Sequence, residues 1–260
     1  MCASDPVSGR GVTRDGPPPA GRRQDGAVHP EVEDRFKALV AGTEDQPGRL
    51  EEAALLVAAA GQGHDTAWVD GQLGRLDAIG AACPQGLDGL MSHLFGDGDG
   101  SLGLRGDVEG YAEPANSFLD QVLDRRLGIP ITLSVLAMAV GRRTGVPLAG
   151  IGMPGHFLVR HEGQPRVLLD CFDGGRRLTS GDCEAILQRI YGPGTGFDLA
   201  WLGPVPPRDI VVRILTNLRQ RALATADVGR LGWGAPLRSA VPGVGDEDLR
   251  LLARLRATLS

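Results

Sequence analysis

"LGIPITLSVLAMAVGRRTGVPLAGIGMPGHFLVRHEGQPRVLLDC", residues 127 to 171, decides the fold of this chain, because its apolar pattern changes period partway along. Pro130 suits the first turn of a helix, where a missing N–H has no partner to lose, so "PITLSVLAMAVGRR" is predicted as a helix. Gly145 ends it, and Pro147 prevents its resumption. "LAGIGM", "GHFLVRH" and "PRVLLDC" then read as short strands, the last two joined by "EGQ". The class is α+β, with a central helix packed on a small antiparallel sheet.

The hairpin turns a pattern into chemistry. With Glu162, Gly163 and Gln164 as a three-residue loop, His161 faces Pro165, and counting outward places His156 opposite Asp170. A four-residue loop slips the pairing by one and sets His156 against Cys171. Either register brings an imidazole beside an acid or a thiol. A histidine oriented by an aspartate is half of a catalytic triad, with one ring nitrogen left to accept a proton from a nucleophile. In cysteine enzymes of this architecture the nucleophile sits at the amino end of the helix packed on the sheet, where the macrodipole lowers a thiol's pKa. The helix opening at Pro130 occupies that place in chain order.

Working outward, "NSFLDQVLDRRLGIP" carries Ser117 and Asp120 at the S-x-x-D spacing of a capping box. Ahead of it, "EVEDRFKALV", "RLEEAALLVAAAG", "DTAWVDGQLGRLDAIGAAC" and "QGLDGLMSHLF" are four short helices by their apolar spacing. "GDGDGSLGLRGD" between them is a loop; it lacks the closing glutamate of a calcium-binding EF-hand loop. After the strands, "DCEAILQRIYG", "RDIVVRILTNLRQRALA" and "DEDLRLLARLRATL" are helical, and Ile210, Val211, Ile214, Leu215 and Leu218 form one stripe to be buried. The chain divides into a disordered tail over 1–28, a helical part over 29–110, a core over 111–192 and carboxyl-terminal helices over 193–260. The tail is rich in Gly, Pro, Asp and Arg and poor in large apolar side chains.

A chain of 260 residues with 42% hydrophobic and 23% charged residues buries a sizeable core without a metal or disulfide. No apolar run approaches a membrane span of about 20 residues, and the amino terminus lacks the apolar centre of a signal peptide around Cys2. A cytoplasmic location is expected. Cys2, Cys83, Cys171 and Cys183 form no metal-type pair, and His29, His64, His93 and His161 have no ligand-spaced partner, so no metal or cofactor is expected. All but one of the 27 basic residues are arginine, yet the net charge is -5 with no basic block. Nucleic acid and anionic membranes are therefore poor partners.

The stretch from "NSFLDQVLDRRLGIPI" through "PGHFLVR" to "LLDCFDGG" resembles the SirB-type branch of the transglutaminase-like superfamily, similar in fold to papain-like cysteine proteases. The resemblance extends back through "RFKALV" and "EEAALLVAAAG" and covers most of residues 32 to 192. It implies a Gly-x-Cys opening a helix that closes at Gly-Ile-Pro, then a His-led strand and a strand ending in Asp. Here Gly128, the tripeptide Gly145-Val146-Pro147, His156 and Asp170 take those places, and Pro130 falls where the cysteine belongs. The implied domain keeps a base and its orienter without the atom they would activate, and is expected to act as a binding or regulatory module for a protein or peptide partner. SirB-type relatives also imply tetratricopeptide-like helices at the carboxyl end, of which residues 208 to 259 supply about one pair.

Two other nucleophiles keep an enzymatic reading open. Ser134 lies one helical turn past Pro130 on the same face, and helix side chains lean back toward the helix start. With His156 as base and Asp170 as orienter, it would make an amide-bond hydrolase or acyltransferase. Cys171 follows Asp170 directly, but adjacent strand residues point to opposite faces, so both cannot face His156 in a regular strand.

Overall fold

The computed structural model describes residues 28–42 and 49–259. The tail expected over 1–28 falls, but for Val28, outside the described residues. The four expected amino-terminal helices are α1 (Pro30–Ala41), α2 (Arg49–Gln62), α3 (Thr66–Ala82) and α4 (Gly86–Phe95). The glycine-rich loop that follows ends in a two-residue strand, β1 (Arg105–Gly106). It runs parallel to β2 (Leu127–Gly128), pairing Gly106 with Gly128 just ahead of the central helix.

Between these strands lie a 3₁₀ turn at Pro114–Ser117 and the short helix α5 (Leu119–Arg125). This corrects the expected capping box. Phe118, not Ser117, is the residue flanking α5, and the buried Ser117 hydroxyl has no hydrogen-bond partner. Asp120 accepts from Gln62 instead (3.0 and 3.1 Å). The extra 3₁₀ turn moves Ser117 out of register with the helix it was expected to open.

The helix predicted from Pro130 is α6 (Pro130–Arg143). It is buried without a break from Pro130 to Ala137, as befits a helix apolar all round, and α2, α3, α4, α5, α8 and the sheet surround it. Its start is tied by Thr132, whose hydroxyl accepts from the Ile129 N–H (3.2 Å) and donates to the Asn116 carbonyl (2.7 Å). Its last turn carries Arg142 and Arg143, favourable at the negative end of the macrodipole, and both reach the buried Glu51 of α2. Gly145 then supplies the left-handed backbone (φ 72°) that turns the chain back toward the sheet.

The sheet has order β3-β4-β5-β6, all antiparallel: β3 (Leu148–Ile151), β4 (Leu158–His161), β5 (Leu168–Asp170) and β6 (Arg176–Leu178). Val159 and Leu169 face α6, while Ile151, Leu158, Leu168 and Leu178 build a smaller core beneath α7 (Ser180–Tyr191). The hairpin register corrects both expected pairings. Val159 pairs with Leu169 and Arg160 with Leu168, and the His161 N–H donates to the Val167 carbonyl (3.1 Å), so residues 162–166 form the loop. Pro165 has no N–H for a ladder bond and falls inside the turn. His156 precedes β4 altogether, after a turn in which Gly155 is left-handed (φ 69°).

The carboxyl-terminal part is α8 (Pro207–Ala224), α9 (Val228–Ala240) and α10 (Glu247–Leu259). The α8 stripe of Ile210, Val211, Ile214, Leu215 and Leu218 is buried in the main core, as expected. α9 was not expected, because its three glycines and Pro236 hide a helix that closes on α8, α10, α1 and α2. Buried Asp248 joins the last two helices to α8 by accepting from Arg238 (2.9 Å) and Arg219.

Candidate functional site

The site grows from the break between β3 and β4. Met153 to Gly155 turn the chain sharply, and the His156 N–H donates to the Met153 carbonyl (3.2 Å). The imidazole that follows is 9% exposed, and its Nε2 lies 2.9 Å from Oδ2 of Asp170 at the end of β5. The other carboxylate oxygen accepts from the Phe172 N–H (3.0 Å), and the Phe172 ring stands edge-on to the imidazole at 6.1 Å. Asp170 thus has both oxygens engaged, and the ring is fixed on two sides. Although the pairing register differs from either expectation, the His156–Asp170 contact forms, through side chains converging from beyond the strand ends.

His156 lines a cleft of about 300 Å³ at the amino-terminal end of α6. Ile129, Pro130 and Ile131 form its helix wall. Tyr111, Tyr191 and the α8 residues Arg213, Asn217 and Gln220 close the other sides. Tyr111 is carried on the turn after Asp107, whose carboxylate accepts from the Gly110 N–H (2.7 Å), Asn116 (2.9 Å) and Arg125 (3.3 Å). Burial opposes ionisation of Asp107, but these hydrogen bonds outweigh it and hold the carboxyl below its usual range. Burial pushes the Tyr111 phenol up, against the pull of Arg221 and Arg213.

Arg213 braces the site from the α8 wall of the cleft. Its Nη2 donates to the carbonyls of Met153 (3.0 Å) and His156 (2.7 Å), and its guanidinium stacks over Phe157 at 5.4 Å. Desolvation lowers its pKa below the usual guanidinium range, but a guanidinium stays charged at neutral pH. Among the described residues it has no carboxylate partner.

The structure therefore brings three of the expected site residues to one place: Pro130 and His156 on the cleft, and Asp170 behind His156. It does not bring Ser134 there. Ser134 is 0% exposed, does not line the cleft, and lies against the Cys171 thiol without reaching hydrogen-bond geometry. Burial pushes the Cys171 thiol up to about 12, and the Ser134 contact offsets only part of that. At neutral pH this is an inert thiol. The other histidines are elsewhere; His64, for one, stacks on Trp68 at 4.3 Å. Among the described residues no group of three or more His, Cys, Asp or Glu is placed to hold a metal ion.

The cleft residues on α8 were not anticipated. Their signal was present: Arg213, Asn217 and Gln220 recur at helical spacing, a second, polar face beside the apolar stripe.

A helix end facing a histidine held by an aspartate, with the pair carried on an antiparallel sheet, is the layout expected from the resemblance. The sequence model described as the transglutaminase-like superfamily matches residues 82–216, and the chain belongs to that superfamily. It is 45% identical over 124 residues to a UPF0162 protein of Xylella fastidiosa, covering 45% of this chain and 43% of the relative. A UPF0162 protein of Pseudomonas aeruginosa is 41% identical over 108 residues, 42% of this chain and 39% of that one. Human F-box only protein 21 is 33% identical over 126 residues, 45% of this chain but 19% of its own length. The matched segments thus span less than half of each of these relatives. No solved structure matches significantly. Among the described residues no helix is long and apolar enough to cross a membrane.

Proposed function

We propose that this chain is a SirB-type transglutaminase-like domain that has lost its nucleophile at Pro130 and serves as a binding or regulatory module for a protein or peptide. One observation carries the reading: the cleft that His156 faces has a pyrrolidine ring on its helix wall, and its lining contains neither serine nor cysteine. The remaining aliphatic hydroxyl there, Thr216, donates to its own helix at Val212 (2.7 Å). His156 and Asp170 act in this reading as an inherited half-site, rigid and polar but without a partner to activate.

The similarity to a minor segment of F-box only protein 21 supports a portable module used inside larger chains. The proposed division places a helical part over 29–110, the core over 111–192 and a tetratricopeptide-like remnant over 193–260. In that division α8 and α9 cover α1 and α2 as a cap, with α10 packed on α9, because one helical pair is too few for a free-standing array. A cytoplasmic location belongs to the same proposal.

The alternative hydrolase or acyltransferase using Ser134, His156 and Asp170 requires a fully buried hydroxyl to reach a cleft it does not line. A fluorophosphonate probe and a thiol-directed probe on the folded protein decide between the readings. Neither is expected to label Ser134 or Cys171 at neutral pH. Labelling at Ser134 that disappears with His156→Ala would refute the degenerate reading.

A further inference from the structure

We propose that the cleft at the start of α6 is a carboxylate-binding site, in which Arg213 receives the acid and Tyr111 and Tyr191 flank the group attached to it. This rests on the reading above, since it treats the cleft as a place that holds a ligand rather than transforms one.

The charge of the cleft is lopsided. Its lining contains no Asp or Glu, although acidic residues outnumber basic ones in the chain as a whole. It does contain Arg213, whose Nη2 is engaged by two neutral carbonyls while Nε and Nη1 have no hydrogen-bond partner among the described residues. A guanidinium so placed, partly desolvated and unpaired, attracts an anion more strongly than one in water, because the effective dielectric is lower. The positive end of α6 opens on the same space through Ile129, Pro130 and Ile131. His156, nine-tenths buried, spends Nε2 on Asp170 and keeps Nδ1 for another partner.

Shape narrows the ligand. A volume of about 300 Å³ is at the small end of ligand pockets, enough for an acid with one side chain or for a chain terminus. The walls are phenol rings, and the Tyr191 ring lies over Gly155, where an added Cβ would meet it at 3.1 Å. Asn217 and Gln220 offer amide groups to an amide next to the acid. A single unpaired guanidinium suits a carboxylate monoanion better than a phosphate dianion.

The test is calorimetric titration of the full chain with N-acetylphenylalanine and its amide, alongside an acetylated pentapeptide with a free or amidated end. The acid is expected to bind at least about tenfold more tightly than the amide, the scale of one charge-assisted contact. Arg213→Gln should abolish that ratio. Asn217→Asp should do the same by placing a carboxylate one turn from Arg213, and it leaves the Met153 and His156 anchors intact should Arg213→Gln not fold. A tighter peptide acid assigns the ligand to a chain terminus, a tighter small acid to a free metabolite, and both uphold the carboxylate. Equal binding of acid and amide, no binding by either, or displacement of the acid by equimolar inorganic phosphate overturns the proposal. Its failure is separable from that of the degenerate reading: probe labelling at Ser134 refutes the latter and leaves the acid-to-amide ratio unchanged.

Discussion

Pro130 and Ser134 stand one turn apart on α6, yet they belong to different media. The first lines an open cleft with a charged guanidinium, a histidine and two phenols around it; the second is 0% exposed among apolar side chains and a thiol. Four residues along a helix advance about 6 Å, which here runs from the wall of the cleft into the closed core. A nucleophile is effective only where its charged form is stabilised and a substrate arrives, so one turn separates a usable position from a silent one.

Breaking the pair that defines the open end should have the largest effect. Asp170→Ala leaves the buried His156 Nε2 and the Phe172 N–H without their acceptor, and a loss of about 3 kcal/mol is expected in urea unfolding. Pro130→Cys should restore what the cleft lacks: a thiol at a helix start beside His156, alkylated by iodoacetamide at pH 7 about tenfold faster than a free cysteine. The excess rate should vanish in Pro130→Cys with His156→Ala.

The buried end should reveal itself through pH. The Cys171 pKa rises from 9.0 to about 12 on folding, so above pH 9 the unfolded chain releases a proton that the folded chain retains. Stability is then complete below pH 9 and falls with rising pH until about 12, by about 1.4 kcal/mol per pH unit from this thiol. Cys183, raised to about 11, adds its own slope, and Cys171→Ala should remove only the Cys171 share. The smallest effect is expected from Ser134→Ala, which deletes a buried hydroxyl without a hydrogen-bond partner: within about 1 kcal/mol of neutral by thermal unfolding.

The same contrast explains what the sequence could disclose. α6 was legible because proline, a continuous apolar run and Gly145 mark its start, body and end. The register of β4 and β5 was not, since a loop length cannot be read where Pro165 and two flexible neighbours admit several turns. β6 is three residues long with two exposed arginines, and α9 contradicts its own propensities at Gly229, Gly232, Gly234 and Pro236, so packing rather than local preference decides both. His156 and Asp170 could be found as a couple, because the approach of two strand ends survives a slip in pairing. Arg213 lies 43 residues past Asp170 and is joined to the site by main-chain carbonyls, which leave no trace in residue type.

Tyr191 closes one side of the cleft from the last residue of α7, 57% exposed, with its ring over the bare α-carbon of Gly155. An added Cβ at Gly155 would meet Ile190 Cγ2 at 3.0 Å as well as the Tyr191 ring at 3.1 Å. Any side chain at 155 would therefore push the phenol aside and alter the entrance, which ties the width of the cleft to the bareness of one α-carbon.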